Sequence, residues 1–415
     1  MARRRRRVNW FWITVLLGLI FATTYFGRYV APDIQTPFVD TPTPTRAPES
    51  FVTEAEDLFM QGKLLQTINA YQEAIRSNPE DPNSYIAMAR VQVFIGHYAD
   101  AQESAEKALL LNPNNSMAYA VRGWSLDFLG DYLAAEAAVK RALELDPNNA
   151  FAHAYYAEIL ADAYSNGAGP FDAVELASEE SRVALSLAPN LMEAHRARAY
   201  VLEVTGNYEE AIREYEIAVN LNENIPDLHL SLGRNYRSLG VYDKAVEEFT
   251  RANALNPADP LPDLYISRTY ATVGEYAKAV QYGEQATKDD PTNAGMHGNL
   301  GVMYYHNYQW PESLQELALA VYGGSLGENQ TVEALSLENS ARAAEYYFTY
   351  ALVLARLNNC GESLQIARQI IGTIPRNELA VYNANEAIAL CQTNLDTPPT
   401  ATEEIPAAPE ATPEA

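Results

Sequence analysis

The stretch Ser84–Pro113 reads S-Y-I-A-M-A-R-V-Q-V-F-I, then G-H-Y, then A-D-A-Q-E-S-A-E-K-A-L-L-L-N-P. Tyr85, Met88, Ala89 and Val93 recur at helical spacing on one side, so the first segment reads as an amphipathic helix. Gly96 supplies a turn, a second helical pattern follows, and Pro113 stops it from running on. The unit is thus a pair of helices joined by a short turn.

Working outward, proline recurs at Pro79, Pro113 and Pro147, each 34 residues after the last. A gap of 42 leads to Pro189, and steps of 34 then pass through Glu223 in the proline slot to Pro257 and Pro291. Pro375 lies 84 further on, two periods plus 16 residues. Glycine keeps the same phase at Gly62, Gly96, Gly130, Gly206, Gly240 and Gly274, with an aromatic two residues later at Tyr98, Tyr132, Tyr208, Tyr242, Tyr276 and Trp310. Small residues hold one slot in first helices (Ala89, Gly123, Ala157, Ala199, Gly233, Gly301), and an alanine series runs through second helices from Ala74 to Ala320. A larger side chain there overpacks a helix contact, at a cost of about 1–3 kcal/mol. A fixed period in this range marks a solenoid, whose helix pairs bury their apolar faces only by stacking.

These slots, recurring in phase, resemble tetratricopeptide repeats over 50–391, with about nine repeats and a capping helix, E-L-A-V-Y-N-A-N-E-A-I-A-L. The resemblance implies an all-α, right-handed superhelical solenoid of antiparallel helix pairs, with a concave groove lined by first helices. Two stretches depart from the pattern. Tyr164–Phe171 lengthens the turn inside the fourth repeat, and Gly323–Asn339 separates the eighth repeat from the ninth. Both read as surface insertions rather than breaks in the stack, though the second leaves room for the last pair to swing away from it.

The flanks carry a different message. Arg3 to Arg7 precede a run without charge from Val8 to Phe26, bounded by Trp10 and Trp12 at one end and Tyr25 and Tyr29 at the other. About 20 apolar residues cross a bilayer core, so 8–27 is expected to be a transmembrane helix. The arginines act as the cytoplasmic signal, making 1–7 a basic cytoplasmic stub and placing the repeats outside the cytoplasm. A cleaved secretory signal is the alternative, for which Ala22 and Gly27 are poor cleavage candidates. Lipid anchoring is excluded, because the first cysteine is Cys360. The Pro/Thr-rich stretch 28–49 reads as an extended stalk and 392–415 as a disordered Pro/Glu-rich tail.

Charge narrows the partner. The 415 residues carry 29 basic against 54 acidic groups. Five of the basic ones are Arg3 to Arg7, leaving 24 against 54 for the remainder. Such a body repels phosphate backbones, so no nucleic acid is expected. No phosphate-cradling glycine loop or dinucleotide fingerprint is present, and no cofactor is expected. Gly323-Gly324-Ser325-Leu326-Gly327 matches the nucleophile pattern G-x-S-x-G, which has meaning only on a strand-to-helix turn. In an insertion between helical repeats it reads as a flexible loop, and no catalysis is expected. Four of the six histidines, His153, His195, His229 and His297, take the slot of Tyr85 and Tyr119 and read as packing residues rather than metal ligands. Cys360 and Cys391 are candidates for a disulfide pinning the cap, against two unrelated thiols.

Family geometry, carried over slot by slot, places Arg90, Trp124, Tyr200, Arg234 and Arg268 in one groove row and Arg196 in a second. Arg237 and Glu203 share a third row and are expected to pair, which leaves Arg234 and Arg268 free to converge on a carboxylate-bearing partner. The chaperone-tail carboxylate clamp of some relatives is not evident, since Val52 and Glu56 stand where its first-repeat Lys and Asn are expected. The resulting expectation is a membrane-anchored scaffold binding a protein or extended peptide, with acidic groups, in the groove. Two alternatives remain: a structural subunit of a constitutive cell-envelope or secretion complex held through its convex face, and a hydrolytic or glycan-handling enzyme resting on Ser325 alone.

Overall fold

A computed structural model describes residues 10–25, 28, 46–327, 330–338 and 340–396. The basic stub, most of the 28–49 stretch and the tail beyond 396 lie outside the described residues. So do Val8, Asn9, Phe26 and Gly27 at the ends of the expected membrane segment.

The first helix, α1 (Trp10–Tyr25), is 16 residues long and exposes every side chain. At about 1.5 Å per residue it rises about 24 Å, less than the ~30 Å hydrocarbon core. Among the described residues no helix is long and apolar enough to cross a membrane.

The body is a succession of packed helix pairs: α2 (Pro48–Met60) with α3 (Leu64–Ser77), α4 (Pro82–Phe94) with α5 (Tyr98–Leu111), and α6 (Ser116–Phe128) with α7 (Tyr132–Leu145). The series continues with α8 (Ala150–Ser165) and α9 (Ala173–Leu187), α10 (Met192–Val204) and α11 (Tyr208–Leu221), and α12 (Pro226–Ser238) and α13 (Tyr242–Leu255). Then come α14 (Pro260–Thr272) with α15 (Tyr276–Asp289) and α16 (Ala294–His306) with α17 (Trp310–Tyr322). A hairpin of β1 (Gly324–Gly327) and antiparallel β2 (Gln330–Val332) precedes α18 (Ala341–Arg356), α19 (Cys360–Thr373) and α20 (Glu378–Asp396). The last helix runs past the expected boundary at 391.

Local chemistry sets the joints. Asp81, Asn115, Asn149, Asp259 and Asn293 each cap a first helix by accepting a backbone N–H. Inside a repeat, Gly96 takes φ +80° and closes α4, while the next N–H, that of His97, donates to the Gln92 carbonyl at 2.8 Å. Close approach explains the small-residue slot: a Cβ on Gly233 would lie 2.6 Å from the Phe249 ring, and one on Gly301 2.5 Å from Leu317.

Buried apolar side chains form one continuous core from Ala55 to Ile266 and a second from Ala279 to Cys391. Between them lie a small buried cluster of Leu264, Ala286 and Met296, the ring of Tyr270 against both cores, and a polar contact. Ser267 occupies the small-residue slot of α14 and donates to the Ala279 carbonyl at 2.7 Å, while Asn299 Nδ2 donates to Ser267 Oγ at 3.1 Å. The Gly323–Asn339 insertion does not break the stack but is tied to it, which closes the room left for a swing. Val332 and Leu337 are buried, Leu335 N donates to Ala320 O at 3.0 Å, and the Tyr347 hydroxyl donates to Leu335 O at 2.9 Å.

The winding brings the first repeat back onto the chain 164 residues later. Asn224 Nδ2, between α11 and α12, donates to Met60 O at 2.9 Å. Gly62 sits under this contact, where a Cβ would come within 2.7 Å of Asn224 Cβ. The groove is therefore a wound interior and not an open trough.

Candidate functional site

First helices supply the interior, and their aromatic residues stack from one repeat to the next. Trp124 of α6 is fully buried and lies parallel to Tyr155 of α8 at 4.4 Å, edge-on to Phe94 of α4 at 5.2 Å. The guanidinium of Arg196 covers Trp124 at 4.7 Å, and that of Arg90 covers Phe151 at 4.6 Å. These contacts use the tryptophan as a platform for other side chains of the chain.

Three of the expected groove arginines are neutralised internally. Arg90 ion-pairs with Glu193 of α10, 103 residues on and only 2% exposed. Arg196 ion-pairs with Glu158 and, at 2.9 Å, with Asp227. Burial works against the charge of each guanidinium, but Glu193 and Glu158 outweigh it and hold both pKa values up. The expectation for Arg234 is corrected: its Nε lies 3.0 Å from Glu203 Oε1. Glu203 goes to Arg234 rather than Arg237 because the pairing runs diagonally between rows.

Arg237 and Arg268 have no carboxylate partner among the described residues. Arg268 Nε donates to Asn299 Oδ1 at 3.1 Å and its guanidinium reaches the Tyr346 hydroxyl at 3.5 Å. Arg237 leaves a buried Nε without a hydrogen-bond partner. Burial, then the positive charges of Arg268 and Arg342, press its pKa below the ordinary value.

The carboxylates around Arg196 were not singled out by the sequence reading. Glu158 is 4% exposed, accepts Trp124 Nε1–H at 2.9 Å on Oε2 and leaves Oε1 unpartnered. Burial drives its pKa up to about 7 against the pull of Arg196. Tyr200 donates its hydroxyl to Asp162. Asp127, 3% exposed, lies against Asp162, and burial followed by that like charge raises its carboxyl well above the usual range. Asp127 and Glu158 occupy groove slots in successive repeats, a placement that could have flagged them.

Two adjoining cavities open here. One of about 500 Å³ is lined by Leu65 of the first repeat, Phe94, Tyr98, Phe128 and, across the winding, Asp259 and Leu261. A smaller one of about 150 Å³ lies between α8, α10 and α12 and shares Phe128, Arg196 and Asp227 with the first.

The histidines turn out to be more than packing. His195, His229 and His297 each meet a glutamate 19 residues on (Glu214, Glu248, Glu316), and His153 meets Glu180. The remaining two differ: His97 lies 3.5 Å from Asp100, and His306 stacks on Tyr276 at 5.0 Å. Among the described residues no group of three His, Cys, Asp or Glu side chains is arranged to hold a metal ion. Ser325 lies in β1, with its hydroxyl on the Gly327 carbonyl at 3.0 Å, so the expected flexible loop is a hairpin. That strand leads to another strand, not into the helix a nucleophile elbow requires. Cys360 and Cys391 are joined as a disulfide, Cα–Cα 5.4 Å, at the start of α19 and within α20.

A tetratricopeptide repeat family model matches residues 86–150, 196–260 and 266–327. Over these stretches the solenoid carries tetratricopeptide repeats, an architecture typical of protein-interaction scaffolds, and further helix pairs stack on either side of them. No curated protein matches the chain.

Proposed function

We propose that this protein is a membrane-anchored scaffold that receives a partner polypeptide in its wound interior. The anchor is the apolar amino-terminal segment, with Arg3 to Arg7 in the cytoplasm and the repeats on the outer side of a cytoplasmic membrane. Support for the anchor comes from α1, an apolar helix with all its side chains exposed, next to a basic cluster. The disulfide between Cys360 and Cys391 suits an oxidising compartment.

The observation that carries the binding reading is the pair Arg237 and Arg268. In a chain of net charge −25 they stand on the first helices α12 and α14 without carboxylates of their own, while Arg90, Arg196 and Arg234 are all matched. Uncompensated guanidinium groups call for acidic groups on the partner. The test is crosslinking in native membranes with Arg237→Glu and Arg268→Glu combined. Partner capture falls at least about tenfold with helicity unchanged, since a reversed pair costs more than 1.4 kcal/mol. Capture at the level of the parent chain would remove the groove from the site and favour the convex face.

A further inference from the structure

The smaller cavity, between α8, α10 and α12, has the opposite chemistry from the Arg237–Arg268 end. Glu158, Asp162 and Asp227 line it. Of the two arginines in its wall, Arg234 is held by Glu203, which stands outside the lining, and Arg196 is shared between Glu158 and Asp227. Asp162 accepts the Tyr200 hydroxyl and lies against Asp127. Glu158, nearly fully buried, keeps Oε1 without a donor. Arg196 Nε is unpartnered too, so the site is short of positive charge rather than of donors: three carboxylates face two guanidinium groups, one of them committed to Glu203, and a bound cation would remove that cost.

The volume, about 150 Å³, admits a single side chain and no folded element. Its acceptors stand one turn apart on α8, at Glu158 and Asp162, and across the cavity on α12, at Asp227. That geometry suits the three rotatable donors of an ammonium on a slender stem better than a guanidinium. The adjoining cavity of about 500 Å³ shares Phe128 and Asp227 with it and offers space for the backbone on either side of such a side chain. Its wall adds Asp259 and the stacked rings of Tyr98 and Phe128, 4.6 Å apart, which favour a cation's approach.

We infer that this cavity is a lysine pocket, holding the primary ammonium of one partner side chain against Glu158, Asp162 and Asp227. The inference rests on the groove-binding reading and makes it directional. The partner segment places a lysine at the third to sixth repeats and its acidic groups toward Arg237 and Arg268.

The test uses the full chain in detergent with fluorescein-labelled tetralysine, its Nε-acetylated form and tetraglutamate, followed by polarisation. Tetralysine binds, and Asp162→Asn weakens it about tenfold. Asp227→Asn, at a more exposed side chain, gives a second variant if the first misfolds. Glu179→Gln, which removes the same charge from an exposed site on α9, changes affinity less than twofold and so separates pocket binding from general attraction to an acidic protein. The acetylated peptide does not bind. Equal weakening by all three variants, or no weakening by Asp162→Asn and Asp227→Asn, overturns the lysine pocket. Either result leaves the crosslinking test at Arg237 and Arg268 intact, so the two readings fail separately.

Discussion

His195 holds Nδ1 2.6 Å from Glu214 Oε2 and Nε2 2.9 Å from the Pro189 carbonyl oxygen. Two acceptors on one imidazole favour the ring with both nitrogens protonated. The arrangement repeats at His297, with Glu316 and the Pro291 carbonyl, at His229, with Glu248 and the Glu223 carbonyl, and at His153, with Glu180 and the Pro147 carbonyl. Each histidine thus ties the first helix of a repeat to its second helix and to the loop that precedes it.

The glutamate raises the pKa of His195 against burial, while at His153 and His297 burial is the largest effect but the glutamate and carbonyl together outweigh it. Folded values above the unfolded one mean that these pairs contribute fully below about pH 6.5 and are lost as pH rises through the folded values. Stability in urea is therefore expected to fall as pH rises above about 6.5. Glu214→Gln lowers stability at pH 6 by about 1–3 kcal/mol, the worth of a charged hydrogen bond, and flattens the slope. A parent profile that is flat or rising above about pH 6.5 contradicts the assignment.

Asp127 presses the same way for a different reason. Its carboxyl is buried against Asp162 with no cation of its own, so ionisation costs folding free energy. Asp127→Asn is expected to stabilise the chain by about 1–3 kcal/mol at pH 8, on the scale of an uncompensated buried polar group, with the gain shrinking toward pH 5. Paired denaturation curves at the two pH values check it, and a loss of stability at pH 8 sinks it.

Tyr308 has φ +62° in the turn position where Gly96, Gly206 and Gly274 stand in other repeats. A side chain in this region costs about 1–2 kcal/mol, and Tyr308 is 81% exposed with little burial to offset the strain. Tyr308→Gly should stabilise by about 1 kcal/mol, and Gly274→Ala should destabilise by a similar amount, both read from denaturation midpoints. If Tyr308→Gly destabilises, the ring is held there by something beyond the turn.

Periodicity made most of this architecture legible. Once Pro79, Pro113 and Pro147 fix the phase, Gly96 and Ala89 have one structural job each, and the structure places them there. Pairing across the winding was not legible, because it depends on pitch and not on phase. Nothing at Arg90 points 103 residues ahead to Glu193, and same-row reasoning assigned Glu203 to Arg237 when the superhelical offset gives it to Arg234. The polar contact between the two cores was visible in principle, since Ser267 breaks a run of alanine and glycine. The histidine pairs were visible too: the interval from His195 to Glu214 recurs at His229 and His297, and at His153 it is longer by the eight residues inserted within that repeat.

The claim on which the functional account depends is that the wound interior, and not the outside of the coil, meets the partner. A photo-crosslinking phenylalanine placed at Leu261, which lines the larger cavity, is compared in native membranes with one at Leu110, 83% exposed on α5. The account predicts a discrete adduct from Leu261 that disappears when Arg237 and Arg268 are reversed, and none from Leu110. An adduct from Leu110 with none from Leu261 would contradict it.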